Sequence, residues 1–267
     1  MVHDLTAVHF PEMCTTDVQQ VPALLRREIL DGAWIHTPSQ AVADDVVATL
    51  NVEPNRVRAI HLGGPQPIDD ITRSERAERG RSFAGVDDYL LSLGTIEPRK
   101  DIPSLVRAFD VIAPKRPSLH LVIAGPDGWG VEAVKEVIDA SPNRSRIQRT
   151  GWLSDAERDD LLAGTRAFVY PSLLEGFGIP PLEAMAAGVP VVATRTGSLP
   201  EVLGSAAQWA EPGDVETLVD AIETVLDNSA VAESLVAAGN ERLTHFSWDR
   251  STDELVALFE LACAARA

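Results

Sequence analysis

Short β-rich apolar runs that alternate with segments of helical period predict an α/β chain built on a doubly wound parallel sheet. Three observations carry that expectation. From Tyr89 onward six such runs recur: Tyr89 to Leu93, Leu119 to Ala124, Arg146 to Thr150, Ala167 to Tyr170, Val189 to Ala193 and Ala206 to Trp209. Amphipathic segments separate them. Strand, helix and strand repeated in this way imply a parallel sheet covered on both faces.

Taken in chain order, Arg26 to Leu30 ends a helix, Ala33 to His36 is a short strand, and Ser39 to Leu50 is a helix with Val42, Val46 and Val47 inward. Val57 to Ile60 is a second strand. Two strands and two helices are too few to close a doubly wound domain, so residues 1–64 read as the remnant of a second Rossmann-like domain. The stretch from Gly63-Gly64-Pro65 to Gly85 is poor in apolar residues and rich in Pro, Gly and charge, so 65–86 is expected to be a linker. Residues 87–246 hold the main sheet. Within them Asp101 to Ala113 places Ile102, Leu105, Val106, Phe109 and Ile112 on one stripe, and Asp214 to Leu226 repeats the pattern with Val215, Leu218, Val219, Ile222 and Leu226. Ser154 with Glu157 has the spacing of a capping box. Residues 247–267 read as a final amphipathic helix, with Leu255, Leu258, Phe259 and Cys263 on its apolar side.

Composition excludes several functions. Apolar residues make up 45% and charged residues 24%, ordinary for a globular protein. With 40 Asp and Glu against 23 Lys and Arg, a net charge of −17 repels a phosphate backbone, so nucleic acid is not an expected partner. No run of about eighteen apolar residues is present and the first residues lack a signal-peptide pattern. Cys14 and Cys263 lie at opposite ends and read as two free thiols of a reducing cytosol. The expected location is cytoplasmic, or peripheral at the inner face of the membrane.

The stretch with most chemistry is Tyr170-Pro-Ser-Leu-Leu-Glu175-Gly-Phe-Gly178-Ile-Pro-Pro-Leu-Glu183. It follows a strand, at the carboxyl sheet edge where doubly wound folds bind ligands. Gly176 and Gly178 let the backbone approach a ligand. Pro180 and Pro181 suit a helix start, and a helix N-terminus aimed into a crevice favours a diphosphate. Glu183, read as part of that first turn, can accept two ribose hydroxyls, and Glu175 on the loop is free to reach a sugar hydroxyl. Taken singly, either glutamate reads equally as a dipole-complementing or solvated residue; the whole string argues otherwise.

The string resembles the E-x7-E signature of retaining glycosyltransferases of family 4, in the GT-B fold. Leu93-Gly94-Thr95-Ile96-Glu97-Pro98-Arg99-Lys100-Asp101, Ala124-Gly125-Pro126 and Val192 to Glu201 are similar to three further family segments, in the expected order. The resemblance implies a hexose moved from a GDP- or UDP-sugar to a carbohydrate or lipid-linked hydroxyl, with retention, on the front face of the sugar, and without a metal or cofactor. No Asp-x-Asp is present, and Gly125-x-x-Gly128-x-Gly130 is not the dinucleotide fingerprint. Arg99 and Lys100 would neutralise the diphosphate, Glu175 would hold the donor sugar and Glu183 the ribose. Gly94, Thr95 and Gly125 would line the donor site, and amides at Gly176, Phe177, Gly178 and Ile179 would bind sugar and phosphate. Thr95 stands where many relatives carry an Arg, which shifts phosphate duty to Arg99. Thr150 to Leu153 would edge the base pocket, with Trp152 either there or in the core. Val2-His3-Asp4 resembles the family's acceptor-side His-Asp pair, so His3 would face the donor sugar; alone it is an ordinary terminal residue. The glycine-rich loop that would complete the acceptor half is not in this sequence, which implies a missing N-terminal domain or a partner chain, and in this fold the helix of 247–267 would cross back to the N-terminal part. Two other readings stay open: a sugar-nucleotide-binding fragment without turnover, and epimerase chemistry, which should lack the E-x7-E string. Glu175, Glu183 and Lys100 are expected around one hollow.

Overall fold

The computed structural model describes residues 1–265. An N-terminal unit contains α1 (Thr6–His9), α2 (Val21–Leu30), β1 (Ile35–Thr37), α3 (Gln40–Leu50) and β2 (Val57–Ala59). Its two strands pair in parallel, Ile35 opposite Val57, over a small core of Val2, Leu5, Ile29, Ile35, Val42, Val46, Leu50 and Val57. Ser39 caps α3 by accepting from Val42 N, and Asn51 ends it in the left-handed conformation at φ 54°.

Next comes α4 (Asp70–Ala84), where the sequence predicts a linker. This helix is real, and the reason it was hidden is physical. Its contact face is made of the small residues Ala77, Gly80 and Ala84, which bring it onto α7 (Asp155–Gly164) backbone to backbone. A Cβ at Gly80 would lie 1.9 Å from the Asp160 carbonyl oxygen. Arg76 and Arg79 then reach Asp159 and Asp160, at 3.0 and 2.9 Å. Close backbone approach replaces the apolar stripe that pattern reading looks for.

The main unit alternates β3 (Tyr89–Leu93), α5 (Ile102–Ile112), β4 (His120–Ala124), α6 (Val131–Ala140), β5 (Ile147–Gly151), α7, β6 (Ala167–Tyr170), α8 (Ile179–Ala186), β7 (Val191–Thr194), α9 (Leu199–Leu203) and β8 (Ala207–Ala210), followed by α10 (Val215–Asp227), α11 (Ser229–Leu243) and α12 (Trp248–Ala264). The six strands are all parallel, in the order β5-β4-β3-β6-β7-β8. Side chains split by the two-residue period of a strand. Tyr89, Leu91, Val122, Phe168, Tyr170 and Val191 pack with α4, α7, α8 and α9. Leu90, Leu121, Ile123, Val169 and Val192 pack with α5 and α10. The doubly wound sheet is therefore as the sequence predicts, and the capping box of Ser154 and Glu157 is formed.

Winding outward from β3 in one direction and from β6 in the other creates a switch point between these two central strands. Crevices at the carboxyl ends of strands open at such a point. The loops that border it are 94–101 and 171–178.

α12 differs from its expected packing. Only Leu258 is buried, while Phe259 is 60% exposed and Cys263 faces solvent. The docked part is its start, where Ser251 donates to the His61 carbonyl and the Trp248 ring occupies the space a side chain at Gly63 would need. Residues 266–267 of the expected final helix lie outside the described residues. Cys14 and Cys263 are both free. No helix among the described residues is long and apolar enough to cross a membrane.

Candidate functional site

The loop after β3 must turn sharply, and two glycines allow it. Gly94 sits at φ 148° and Gly125, ending β4, at φ 133°. A Cβ on Gly125 would meet the Gly94 carbonyl oxygen at 2.1 Å, so the two backbones pack directly on one another. A single turn of 3₁₀ helix, Pro98–Lys100, then points Arg99 and Lys100 inward, and Asp101 enters α5 at φ 46°. The Arg99 carbonyl accepts from Leu173 N at 2.8 Å, which ties this loop to the one after β6.

Between the loops stands Glu175. It is 6% exposed, with one carboxylate oxygen 2.7 Å from Lys100 Nζ and the other 2.7 Å from Arg99 Nη1. Lys100 also donates to the Tyr170 hydroxyl at 2.6 Å, and Arg99 to Glu97 at 2.6 Å and to the Leu174 carbonyl at 2.9 Å. Burial works against the Glu175 charge, but Lys100 and Arg99 outweigh it and hold the carboxyl below the usual glutamate range. For Arg99 burial opposes the charge, and Glu175 with Glu97 raises the guanidinium above its ordinary value. Lys100 is pushed down, first by burial and then by the like charge of Arg99, with Glu175 opposing. The Tyr170 hydroxyl is held well above its normal range by burial and by Glu175.

Glu175 is thus not the free loop carboxylate that sequence reading expects. Glu175 itself is buried, and the two largely buried cations draw its carboxylate between them. The same contact explains how a cation pair sits just before the N-terminus of α5, where a positive charge is normally unfavourable.

α8 begins at Gly178, φ 105°, with Pro180 and Pro181 near its start. Of the amides that a helix start leaves unpaired, two belong to these prolines and do not exist, so Gly178 and Ile179 supply the available donors. Glu183 lies just beyond that first turn rather than inside it. It faces α7, 3.7 Å from Arg158, and lines a hollow of about 230 Å³ with Gln66, Arg76, Arg158 and Asp159. Burial raises its pKa, Arg158 opposes this, and Asp159 and Asp155 add to it. Lys100, Arg99 and Glu175 therefore meet, while the hollow that Glu183 lines has none of the three in its wall.

The remaining candidates fall around this centre. Gly94 lies against the Lys100 stem, where a Cβ would be 3.5 Å from Cε. Thr95 is exposed and turned toward Gly128 rather than toward Lys100. Gly176 packs on the His3 backbone so closely that a Cβ would be 1.8 Å from the His3 carbonyl oxygen. His3 itself is exposed, so the chain start runs beside the signature loop. The Phe177 ring is buried against His61 and Phe246, at centroid distances of 6.0 and 5.4 Å. Trp152 is 74% exposed beyond the end of β5, which removes it from the core. Tyr170 and Arg158 were not singled out from sequence. A tyrosine closing the central strand directly before the loop was a signal for the first; the second depends on how α7 faces α8, which no local pattern reveals.

Comparison with known proteins gives a consistent result. The family model for glycosyl transferases group 1 matches residues 74–242. The chain is similar to O-antigen chain mannosyltransferase B of Escherichia coli, 36% identical over 262 residues that cover 97% of this chain and 69% of that protein. It is 30% identical to the MMP alpha-(1->4)-mannosyltransferase of Mycolicibacterium hassiacum, over 96% of this chain and 58% of that protein. Among solved structures, sucrose-phosphate synthase from Thermosynechococcus elongatus superposes with a TM-score of 0.79 at 22% identity, covering 98% of this chain and 67% of that one. The last is a likeness of fold, of the GT-B type.

Proposed function

The chain belongs to the group 1 glycosyl transferases, and from that premise we propose that it moves a hexose from a nucleotide sugar to a hydroxyl acceptor, with retention and without a metal ion. The names of the sequence relatives favour mannose, from a GDP- or UDP-linked donor, and a carbohydrate or lipid-linked acceptor. The observation that carries the reading is the cation pair at the switch point, Arg99 and Lys100, ordered by Glu175.

An ammonium has three donors, and Lys100 spends two on Tyr170 and Glu175, leaving one for a phosphate oxygen. A guanidinium has five, and Arg99 uses three, on Leu174, Glu175 and Glu97. As the glycosidic bond to the diphosphate breaks, negative charge grows on the leaving oxygen, and these fixed donors, with the amides of Gly178 and Ile179, stabilise it more than they do the intact donor. Both oxygens of Glu175 are already engaged, which disfavours it as a covalent nucleophile and supports front-face transfer, with the departing diphosphate taking the acceptor proton. Glu183 would hold the ribose hydroxyls from its own hollow.

The test is transfer from GDP-mannose and UDP-glucose in excess EDTA, with the anomeric configuration of the product read by NMR. The reading requires sugar transfer in EDTA with the donor's configuration kept. An inverted product, or strict dependence on a divalent ion, overturns it. Binding without transfer would favour a second reading, a donor-binding unit without turnover, which the two-stranded sheet of the N-terminal unit supports.

A further inference from the structure

The short helix α9 holds two things at once. At its start, the Ser198 amide and hydroxyl both donate to the Glu175 carbonyl, each at 3.0 Å. Gly197 lies so close that a Cβ there would be 2.3 Å from the same oxygen. In the middle of α9, Glu201 reaches the other way. Its two carboxylate oxygens accept from the backbone amides of Gln40 and Ala41, both at 2.8 Å, and His61 Nε2 lies 2.6 Å from Oε1. Those amides open α3 of the N-terminal unit. The residue before them, Ser39, is fully buried and donates to the Gly176 carbonyl at 2.9 Å. The Glu175 and Gly176 carbonyls are therefore gripped from opposite sides, by a serine of the main unit and by a serine of the N-terminal unit. Glu201 closes the circuit between the two serines. Arg242 pins α9 from behind, donating to the Glu201 and Val202 carbonyls.

We propose that Glu201, Ser39 and Ser198 form a clasp that makes the position of the Glu175–Gly176 loop depend on the docking of the N-terminal unit. Glu201 is a positioning residue: its carboxylate is taken up by Gln40, Ala41 and His61, and it acts through the carbonyl grip on the residue that orders Arg99 and Lys100. The consequence for the donor site rests on the function proposed above; the mechanical coupling does not. Retraction of α3 releases Gly176, loosens Glu175 and disorders the cation pair, so donor affinity reports the state of the acceptor side.

Two readouts on the intact chain separate these claims. Hydrogen–deuterium exchange is compared for wild type, Glu201→Ala, Glu201→Gln and the milder Ser39→Ala, and GDP and UDP affinities are measured by calorimetry. Expected is faster exchange at residues 40–42 and also at 174–178, about tenfold or more, with the β3 and β4 amides unchanged. Affinity should fall several-fold in Glu201→Ala, less in Glu201→Gln, which keeps one acceptor oxygen. Ser39→Ala and Ser198→Ala combined should be non-additive on affinity. Faster exchange confined to 39–43, with 174–178 unchanged, would reduce Glu201 to a local helix cap and overturn the proposal. If Glu201→Ala does not fold, the same comparison is made with Ser39→Ala. Should wild type bind neither nucleotide, the donor reading fails, while the exchange pattern still decides the clasp.

Discussion

Replacing Glu175 with Gln removes one buried anion from between two largely buried cations. The Lys100 and Arg99 side chains are 11% and 18% exposed, so solvent screens little of the loss. Removing one partner of a buried ion pair costs about 3–5 kcal/mol, because the remaining charge is left uncompensated. Gln keeps an acceptor oxygen for one of the two cations and the volume of the side chain, and Arg99 retains Glu97, so the low end, about 3 kcal/mol, is the expected loss. For a chain of this size each kcal/mol moves Tm by about 2–4 °C, which places Glu175→Gln about 6–12 °C below wild type in a calorimetric melt at neutral pH. The same geometry makes a second demand. Inorganic pyrophosphate should raise Tm more in Glu175→Gln than in wild type, since a cation pair that has lost its carboxylate charge attracts an added polyanion more strongly. A drop under about 2 °C, or an equal response to pyrophosphate, would refute the reasoning that Glu175 compensates this pair.

Three other outcomes follow from the same contacts. Glu183→Gln should weaken GDP or UDP binding about tenfold or more, the worth of a charge-assisted contact of about 1.5–3 kcal/mol. Because burial holds the Glu183 pKa above normal, its charge costs stability at neutral pH, and Tm by calorimetry should stay level or rise in that variant. Glu175 and Glu201 have the opposite sign: their folded pKa values lie below normal, so their stabilisation is complete above the ordinary glutamate value of about 4.3 and is lost as pH falls through the folded values. Denaturant melts from pH 7 downward should show that acid loss, and Glu175→Gln should flatten it; an unchanged slope would contradict the assignment. Gly80→Ala should lower Tm although alanine is the better helix former, since its methyl meets the Asp160 carbonyl and α4 must lift off α7. A neutral or raised Tm would show that the backbones are not in contact.

The sheet was legible because its central strands β3, β4, β6 and β7 are buried along most of their length and a covering helix such as α5 carries a wide apolar stripe of Ile102, Leu105, Val106, Phe109 and Ile112. α4 was not, because Ala77, Gly80 and Ala84 bury little apolar area and hold by closeness and by arginine–aspartate pairs. The pairing of loops 94–101 and 171–178 was expected only through the family resemblance, and the strand order that sets them side by side at the switch point belongs to the folded sheet. What pattern could not foresee was the charge arithmetic inside the crevice. Nothing local to Glu175 says that its carboxylate turns inward to Lys100, and nothing local to Glu183 says that it faces Arg158 across an interhelical hollow. The contacts of Ser39 and Glu201 span 137 and 161 residues of sequence, and such pairings are a property of the assembled fold.

The central claim is that Arg99 and Lys100 hold a diphosphate at the sheet edge. Calorimetric titration of wild type and Lys100→Met with GDP and UDP, each repeated with inorganic pyrophosphate present, tests it most directly. The account predicts a single nucleotide site in wild type, displaced by pyrophosphate, and at least a tenfold loss of affinity in the variant. Equal affinity in both proteins, or nucleotide binding indifferent to pyrophosphate, would place the donor elsewhere.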